Sequence, residues 1–225
     1  YRNDRKHPLE PPPRLLNRSN QALQTLERYK NRLDLVSGHL SALEVEDQVT
    51  VRDVVTFLQR AEMVRRISEE IDGYILELGL DGRLVRLQLE ELMGGVEDDR
   101  RRVIQDYFQD RPKWHLDQAD RALRDLGTEN LLLLDEVAAV VHVPKENRGL
   151  EAGVQPRGFR LLHRIPRLPE GVHEALVERF GNLQKIMRAT IEELDDVAGV
   201  GTVRARAIKE GLSRLAETSI LDRYS

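Results

Sequence analysis

Gly199-Val200-Gly201 is followed at once by a helical pattern carrying Thr202, Arg204, Arg206 and Lys209. The fuller spacing is hydrophobic-x-Gly-hydrophobic-Gly-x-x-x-Ala-x-x-hydrophobic, filled by Val197, Gly199, Val200, Gly201, Ala205 and Ile208. The chemistry this pattern can do is anion binding. Glycines at 199 and 201 permit backbone angles that a side chain would forbid, and they let another backbone approach closely. Val200 anchors the loop from inside, Ala205 is small where two helices cross, and Ile208 closes the apolar contact. A loop that opens a helix offers amides without partners, and the helix dipole there favours negative charge. A phosphate fits such a site without any base being read. Arg204, Arg206 and Lys209 on the following turns would neutralise neighbouring phosphates. Gly199 is the position expected to need a positive φ, which leaves Gly201 as the safer place for a substitution.

Other chemistry finds little support. His7, His39, His115, His142, His163 and His173 show no metal-ligand spacing, and there are no cysteines to hold zinc or form disulfides. Acidic residues sit beside arginines on helical patterns, as in "EDDRRR" (97–102), which reads as a solvated charged face. The Gly-Val-Gly lacks the third glycine and the preceding strand of a dinucleotide fingerprint, and no P-loop is present. Neither a catalytic residue nor a metal site nor a cofactor is expected of this chain. The net charge of −4 is unevenly spread. Residues 155–225 carry 12 Lys and Arg against 10 Asp and Glu, and the rest of the chain 23 against 29. Any nucleic-acid contact therefore belongs in the last third. No apolar run is long enough for a membrane span, and "YRNDRKHPLEPPPR" has no signal-peptide core. A cytoplasmic protein with no membrane partner is expected.

The elements that must position the loop are helices. Aliphatic residues dominate the apolar content, aromatics are only 4% and charged residues are 33%. Pro11, Pro12 and Pro13 predict an extended lead-in. Leu23, Leu26, Tyr29, Leu33, Val36, Leu40 and Leu43 then form one stripe on a long helix. Thr50 with Asp53 three residues on resembles a capping box opening a second helix. Its stripe is Val51, Val54, Val55, Leu58, Val64, Ile67, Ile71 and Leu78. "LGLDGR" (78–83) breaks it, "LVRLQLEELM" gives a third helix ended by Gly94-Gly95, and Val103, Ile104, Tyr107 and Phe108 mark a fourth. Weaker helices follow through "LDQADRALRDL" and, from Thr128, "ENLLLLDEVAAVV". "PKENRGLEAGVQP" (144–156), with two prolines and two glycines, reads as a linker.

Beyond the linker one motif occurs twice. "FRLLHRIPRLPEGVHEALVERFG" (159–181) and "IEELDDVAGVGTVRARAIKEGLSRL" (191–215) each read as helix, hairpin, helix, joined by "NLQKIMRA". This is the helix-hairpin-helix motif, in a pair. The first copy has Pro166-Arg167-Leu168-Pro169 where glycines are usual, although Arg164 and Arg167 keep it cationic. Asp195 and Asp196 temper the field around the second. The fold class is therefore all-α, an elongated helical bundle followed by a small paired helix-hairpin-helix domain. Two functions fit: sequence-independent DNA binding through Gly199, Val200, Gly201, Thr202, Arg204, Arg206, Lys209, Arg164 and Arg167, or a protein-interaction scaffold whose hairpins pack on a partner.

Four segments taken together, "NQALQTLERYKNRLD" (20–34), "VTVRDVVTFLQRAEMVRRI" (49–67), "ELGLDGRLVRLQLEEL" (77–92) and "PRGFRLLHRIPRLP" (156–169), resemble the bacterial DNA integrity scanning family, DisA. The resemblance runs from Asn20 to the end of the chain. It implies three parts: a diadenylate cyclase domain, a helical spine and a paired helix-hairpin-helix domain. The cyclase of that family joins two ATP molecules into cyclic di-AMP with Mg or Mn and assembles as a ring-like octamer. Its DNA-binding end engages branched DNA, which is thought to suppress the cyclase. On this resemblance residues 1–19 correspond to the end of the cyclase domain and its connector, 20–143 to the spine, 144–156 to the linker and 157–225 to the DNA-binding domain. The Asp-Gly-Ala and Thr-preceded Arg-His-Arg signatures of the cyclase do not occur, and Asp81-Gly82-Arg83 is a turn. No catalytic residue carries over, and the homo-oligomer of the full-length family is not implied for this chain.

Overall fold

The computed structural model describes residues 12–107, 113–143 and 148–223. Among these the regular elements are helices, with one isolated antiparallel bridge between Thr50 and Gly153. The first helix, α1 (Pro12–Glu46), is 35 residues long, or about 50 Å. It starts two prolines earlier than an extended lead-in would allow. Pro12 and Pro13 sit in the first turn, where a missing N–H costs nothing. Pro11 and the rest of residues 1–11 lie outside the described residues. A short turn leads into α2 (Val51–Leu78), where the Asp53 carboxylate accepts from the Thr50 amide (2.8 Å) and hydroxyl (2.7 Å). The two helices run antiparallel, so that Arg18 near the start of α1 donates to the Tyr74 hydroxyl near the end of α2. Their apolar stripes face each other: Leu26, Leu33, Leu40, Val54, Leu58, Val64 and Ile71 are buried, with Tyr29, Val36 and Ile67 half-buried at the margin.

One 3-10 turn over 79–82, entered through Gly79 at φ 57°, ends α2. Then come α3 (Arg83–Met93), α4 (Val96–Tyr107) and α5 (Lys113–Asp125). The helix expected from Thr128 is two pieces, α6 (Thr128–Leu131) and α7 (Leu134–Val140). Four successive leucines cannot all face one side of a helix. Leu131 goes inside, while Leu132 and Leu133 at the break are exposed. Phe108, grouped with the fourth helix by sequence, is outside the described residues.

Residues 148–156 are bonded onto the bundle rather than loose. The Val51 amide donates to the Ala152 carbonyl and the Val154 amide to the Val49 carbonyl, both at 2.9 Å. Arg52 pairs with Glu151 at 2.7 Å. Glycine and proline content signalled a linker, but composition does not show that the segment between α1 and α2 offers an extended edge to pair with.

The C-terminal elements repeat: α8 (Phe159–His163) and α9 (Glu170–Phe180), a connector helix α10 (Leu183–Arg188), then α11 (Ile191–Asp195) and the 23-residue α12 (Gly201–Arg223). They enclose their own apolar cluster, centred on Leu162, Leu176, Leu194, Ala205 and Ile208. A buried polar joint fixes this cluster to the bundle. The Asp106 carboxylate of α4 accepts from the amides of Gly158, Phe159 and Arg160 (2.7–3.2 Å), and so caps α8. Arg160 of α8, 1% exposed, donates to Glu44 Oε2 at 2.7 Å and to Asp99, Ser37 and Ser41. Tyr107 donates to the same Glu44 at 2.8 Å. Burial pushes the Glu44 carboxyl up. Burial and the neighbouring Glu44 push Asp106 up to about 7. The solvated charged face expected of "EDDRRR" is also corrected: Arg100 is 0% exposed and ion-paired with Asp120, because α5 closes over it.

Candidate nucleic-acid interface

The second hairpin is built from the inside outwards. Thr190 starts α11 with a reciprocal cap, its hydroxyl accepting from the Glu193 amide and its amide donating to the Glu193 carboxylate. Val197 and Val200 are 6% and 4% exposed, and the Val200 amide donates to the Val197 carbonyl at 3.0 Å. The loop is thus closed by apolar anchors and one turn bond. Ala205 and Ile208, both 0% exposed, lock α12 against the cluster.

The outer surface of the loop is left open. Gly199 has φ 82° and Gly201 φ 66°, so both occupy the left-handed region, and the expectation that only Gly199 needs it is corrected. Space is not the constraint. A Cβ at Gly201 would meet nothing within 4 Å, and one at Gly199 only Val172 Cγ2 at 3.8 Å. Two left-handed turns flank Val200, turning the chain so that α12 opens at the hairpin tip. The first amides of α12 have no acceptor inside the helix, and among the described residues those of Gly199, Gly201, Thr202 and Val203 take no backbone acceptor elsewhere. All four residues are exposed.

The side chains divide into two groups. Arg204 Nη1 donates back to the Gly199 carbonyl at 2.5 Å, and Thr202 Oγ1 donates to Asp195 at 3.0 Å, so both brace the loop. Arg206 is exposed on the next turn. Lys209 is half-buried and its ammonium donates to the Met187 carbonyl (2.9 Å), at the end of α10. Arg164 does not join the second hairpin's group. Its guanidinium donates to Ser41 Oγ (3.0 Å) and Ser37 Oγ on α1, and burial beside Arg160 pushes its pKa down. Arg167 is exposed at the tip of the first hairpin with φ 62°.

Sequence spacing gave no reason to pair His163 with His173, whose rings lie edge to face at 6.1 Å. His173 stands in the first copy where the second has Ala205. It is 2% exposed, with neither ring nitrogen hydrogen-bonded. Burial, then Arg102 and His163, push its pKa down, so it is a neutral packing residue. It borders a 360 Å³ cleft between α4, α5 and α9, both of whose arginines are ion-paired, Arg101 with Asp117 and Arg102 with Glu170. Among the described residues no group of three or more His, Cys, Asp or Glu could hold a metal ion, and no helix is long and apolar enough to cross a membrane.

Residues 164–220 match the helix-hairpin-helix motif. The chain is similar to the DNA integrity scanning protein DisA of Kineococcus radiotolerans, with 53% identity over 225 residues covering 100% of this chain and 63% of that protein. It is 54% identical to that of Acidothermus cellulolyticus and 51% to that of Streptomyces coelicolor, each over 227 residues and 61% of the relative. The chain therefore spans about three fifths of the length of these curated relatives. Residues 9–150, more than half of the chain, match the linker region of the DisA bacterial checkpoint controller, and the chain belongs to that family.

Proposed function

We propose that this chain binds DNA without reading its sequence, by seating a backbone phosphate on the amides of Gly199, Gly201 and Thr202. The observation that carries this reading is the opening of α12: among the described residues the amides of Gly199, Gly201 and Thr202, all exposed residues, take no backbone acceptor, and they flank the buried Val200 at a helix N-terminus. Arg206 adds charge to a neighbouring phosphate, while Arg204 and Lys209 first serve to shape the site. Backbone amides and point charges touch no base edge, so affinity follows DNA shape and charge rather than sequence. Branched DNA, which places more phosphates within reach of paired hairpins, is the preferred form. In the longer relatives, named for DNA integrity scanning, this grip would be coupled to control of cyclic di-AMP synthesis through the spine. Exposed leucines cluster away from the hairpins, with Leu76, Leu80, Leu84 and Leu87 on α2, the turn and α3, while the second hairpin itself exposes one large apolar side chain, Val203, in the first turn of α12.

The test is a titration of linear and four-way-junction DNA at two salt concentrations. Thr202→Glu is the informative variant. A carboxylate in the first turn of α12 favours the helix through its dipole yet repels a phosphate. Thr202→Val, which loses the same Asp195 hydrogen bond without adding charge, is its reference, and binding by Thr202→Glu is expected to fall on the order of tenfold or more below that of Thr202→Val while helicity holds. Arg206→Ala should lower the slope of log affinity against log salt by about one phosphate. Unchanged affinity in folded Thr202→Glu would place the contact elsewhere.

A further inference from the structure

Val203 stands apart from the other residues that open α12. It is 84% exposed, the most exposed large apolar side chain among the described residues. One turn on, Ala207 continues the same face of the helix and is exposed too, with Arg206 beside it. A small apolar strip therefore starts at the amides of Gly201, Thr202 and Val203. Helix propensity gives no reason for it, because a β-branched residue is a poorer helix former than alanine or arginine. The first copy has Gly171 at the matching position, two residues before His173, so the strip belongs to the second hairpin alone.

A phosphate seated on those amides brings its sugar with it. The ester oxygen is carried by C3′, which is bonded directly to C2′. In DNA C2′ is a methylene, and in RNA it bears a hydroxyl that both donates and accepts. Val203 covers a methylene at no polar cost. Against a 2′-OH it would exclude water and return no hydrogen bond. We propose that Val203 makes the second hairpin select deoxyribose over ribose, by packing on C2′ of the sugar next to the phosphate held by the α12 amides. This deepens the DNA-binding reading above and rests on it. Base sequence stays unread, because every nucleotide carries the same sugar.

The experiment compares two short duplexes of one sequence, the second with ribose at alternate positions of both strands. The duplexes differ in shape as well as in hydroxyls, so the quantity to follow is the affinity ratio across variants. Wild type should bind the all-deoxyribose duplex roughly fivefold or more tightly than the mixed one. Val203→Thr sets a hydroxyl on the same branched frame and should bring that ratio below about twofold. Val203→Ala, a better helix former, should lower it as well, which separates selectivity from folding. Thr202→Glu should weaken binding to both duplexes and leave the ratio as in wild type. Equal affinity of wild type for the two duplexes, or a wild-type ratio kept by either Val203 variant, overturns the inference. The amide cradle survives that result as long as Thr202→Glu still weakens binding. Wild type that binds neither duplex would remove both readings together.

Discussion

At the scale of single residues, glycine has opposite meanings along α12. Gly201 is needed for its torsion, in open space. Gly211 sits inside the helix, where glycine is ordinarily about 1 kcal/mol worse than alanine. Its reason is contact: an added Cβ would lie 2.9 Å from Ile165 Cγ1 and 3.1 Å from Cγ2. Ile165 is 4% exposed in the first hairpin and has little room to withdraw. Gly211→Ala, a helix-stabilising change at an exposed site, should therefore destabilise here, by roughly 1 kcal/mol once overpacking outweighs the propensity gain. Chemical denaturation would check it, and a stabilised Gly211→Ala would show that Ile165 yields easily. The position also ties the hairpins together, since α12 of the second copy packs on the loop of the first.

At the scale of elements, the joint between α1, α4 and α8 makes a pH prediction. Asp106 is pushed up to about 7 by burial and by Glu44, against an ordinary value of 3.8. The folded state then holds a proton that the unfolded state has lost between about pH 4 and pH 7. The Asp106 contribution is fully present below the unfolded value and is lost as pH rises through the folded one. Asp106→Asn keeps an oxygen acceptor for the α8 amides without the charge. Its stability relative to wild type should improve as pH rises from about 4 to about 7 and then level off. Equilibrium unfolding at several pH values measures this, and a difference independent of pH would mean Asp106 titrates normally. Little of this joint was legible in the sequence. The stripes of α1 and α2, the Thr50 cap and the second hairpin were, because each is a local period or spacing. Nothing in the sequence sets Arg160 and Asp106 apart, since their partners lie far along the chain. Glu44 is 116 residues from Arg160, and burial of such a pair depends on three helices meeting. The same blindness made "EDDRRR" look solvated and made the 148–156 segment look loose. At the candidate site, spacing named the loop and its anchors. The positive φ of Gly201 and the inward turn of Arg164 became visible only once the neighbouring elements were in place.

At the scale of the whole molecule, two apolar clusters are held together by a buried ionic joint and a bonded connector, so the hairpins are presented from a fixed base on the spine. Everything in this reading depends on whether backbone amides at the head of α12 meet phosphate. The direct measurement is an amide nuclear magnetic resonance titration of the nitrogen-15-labelled chain with short duplexes of two unrelated sequences. The amides of Gly199, Gly201 and Thr202 should shift downfield together, by the same pattern with either duplex, and the shifts should reverse as salt is added. Shifts confined to other surfaces, with these three amides unmoved at saturating DNA, would contradict the phosphate cradle outright.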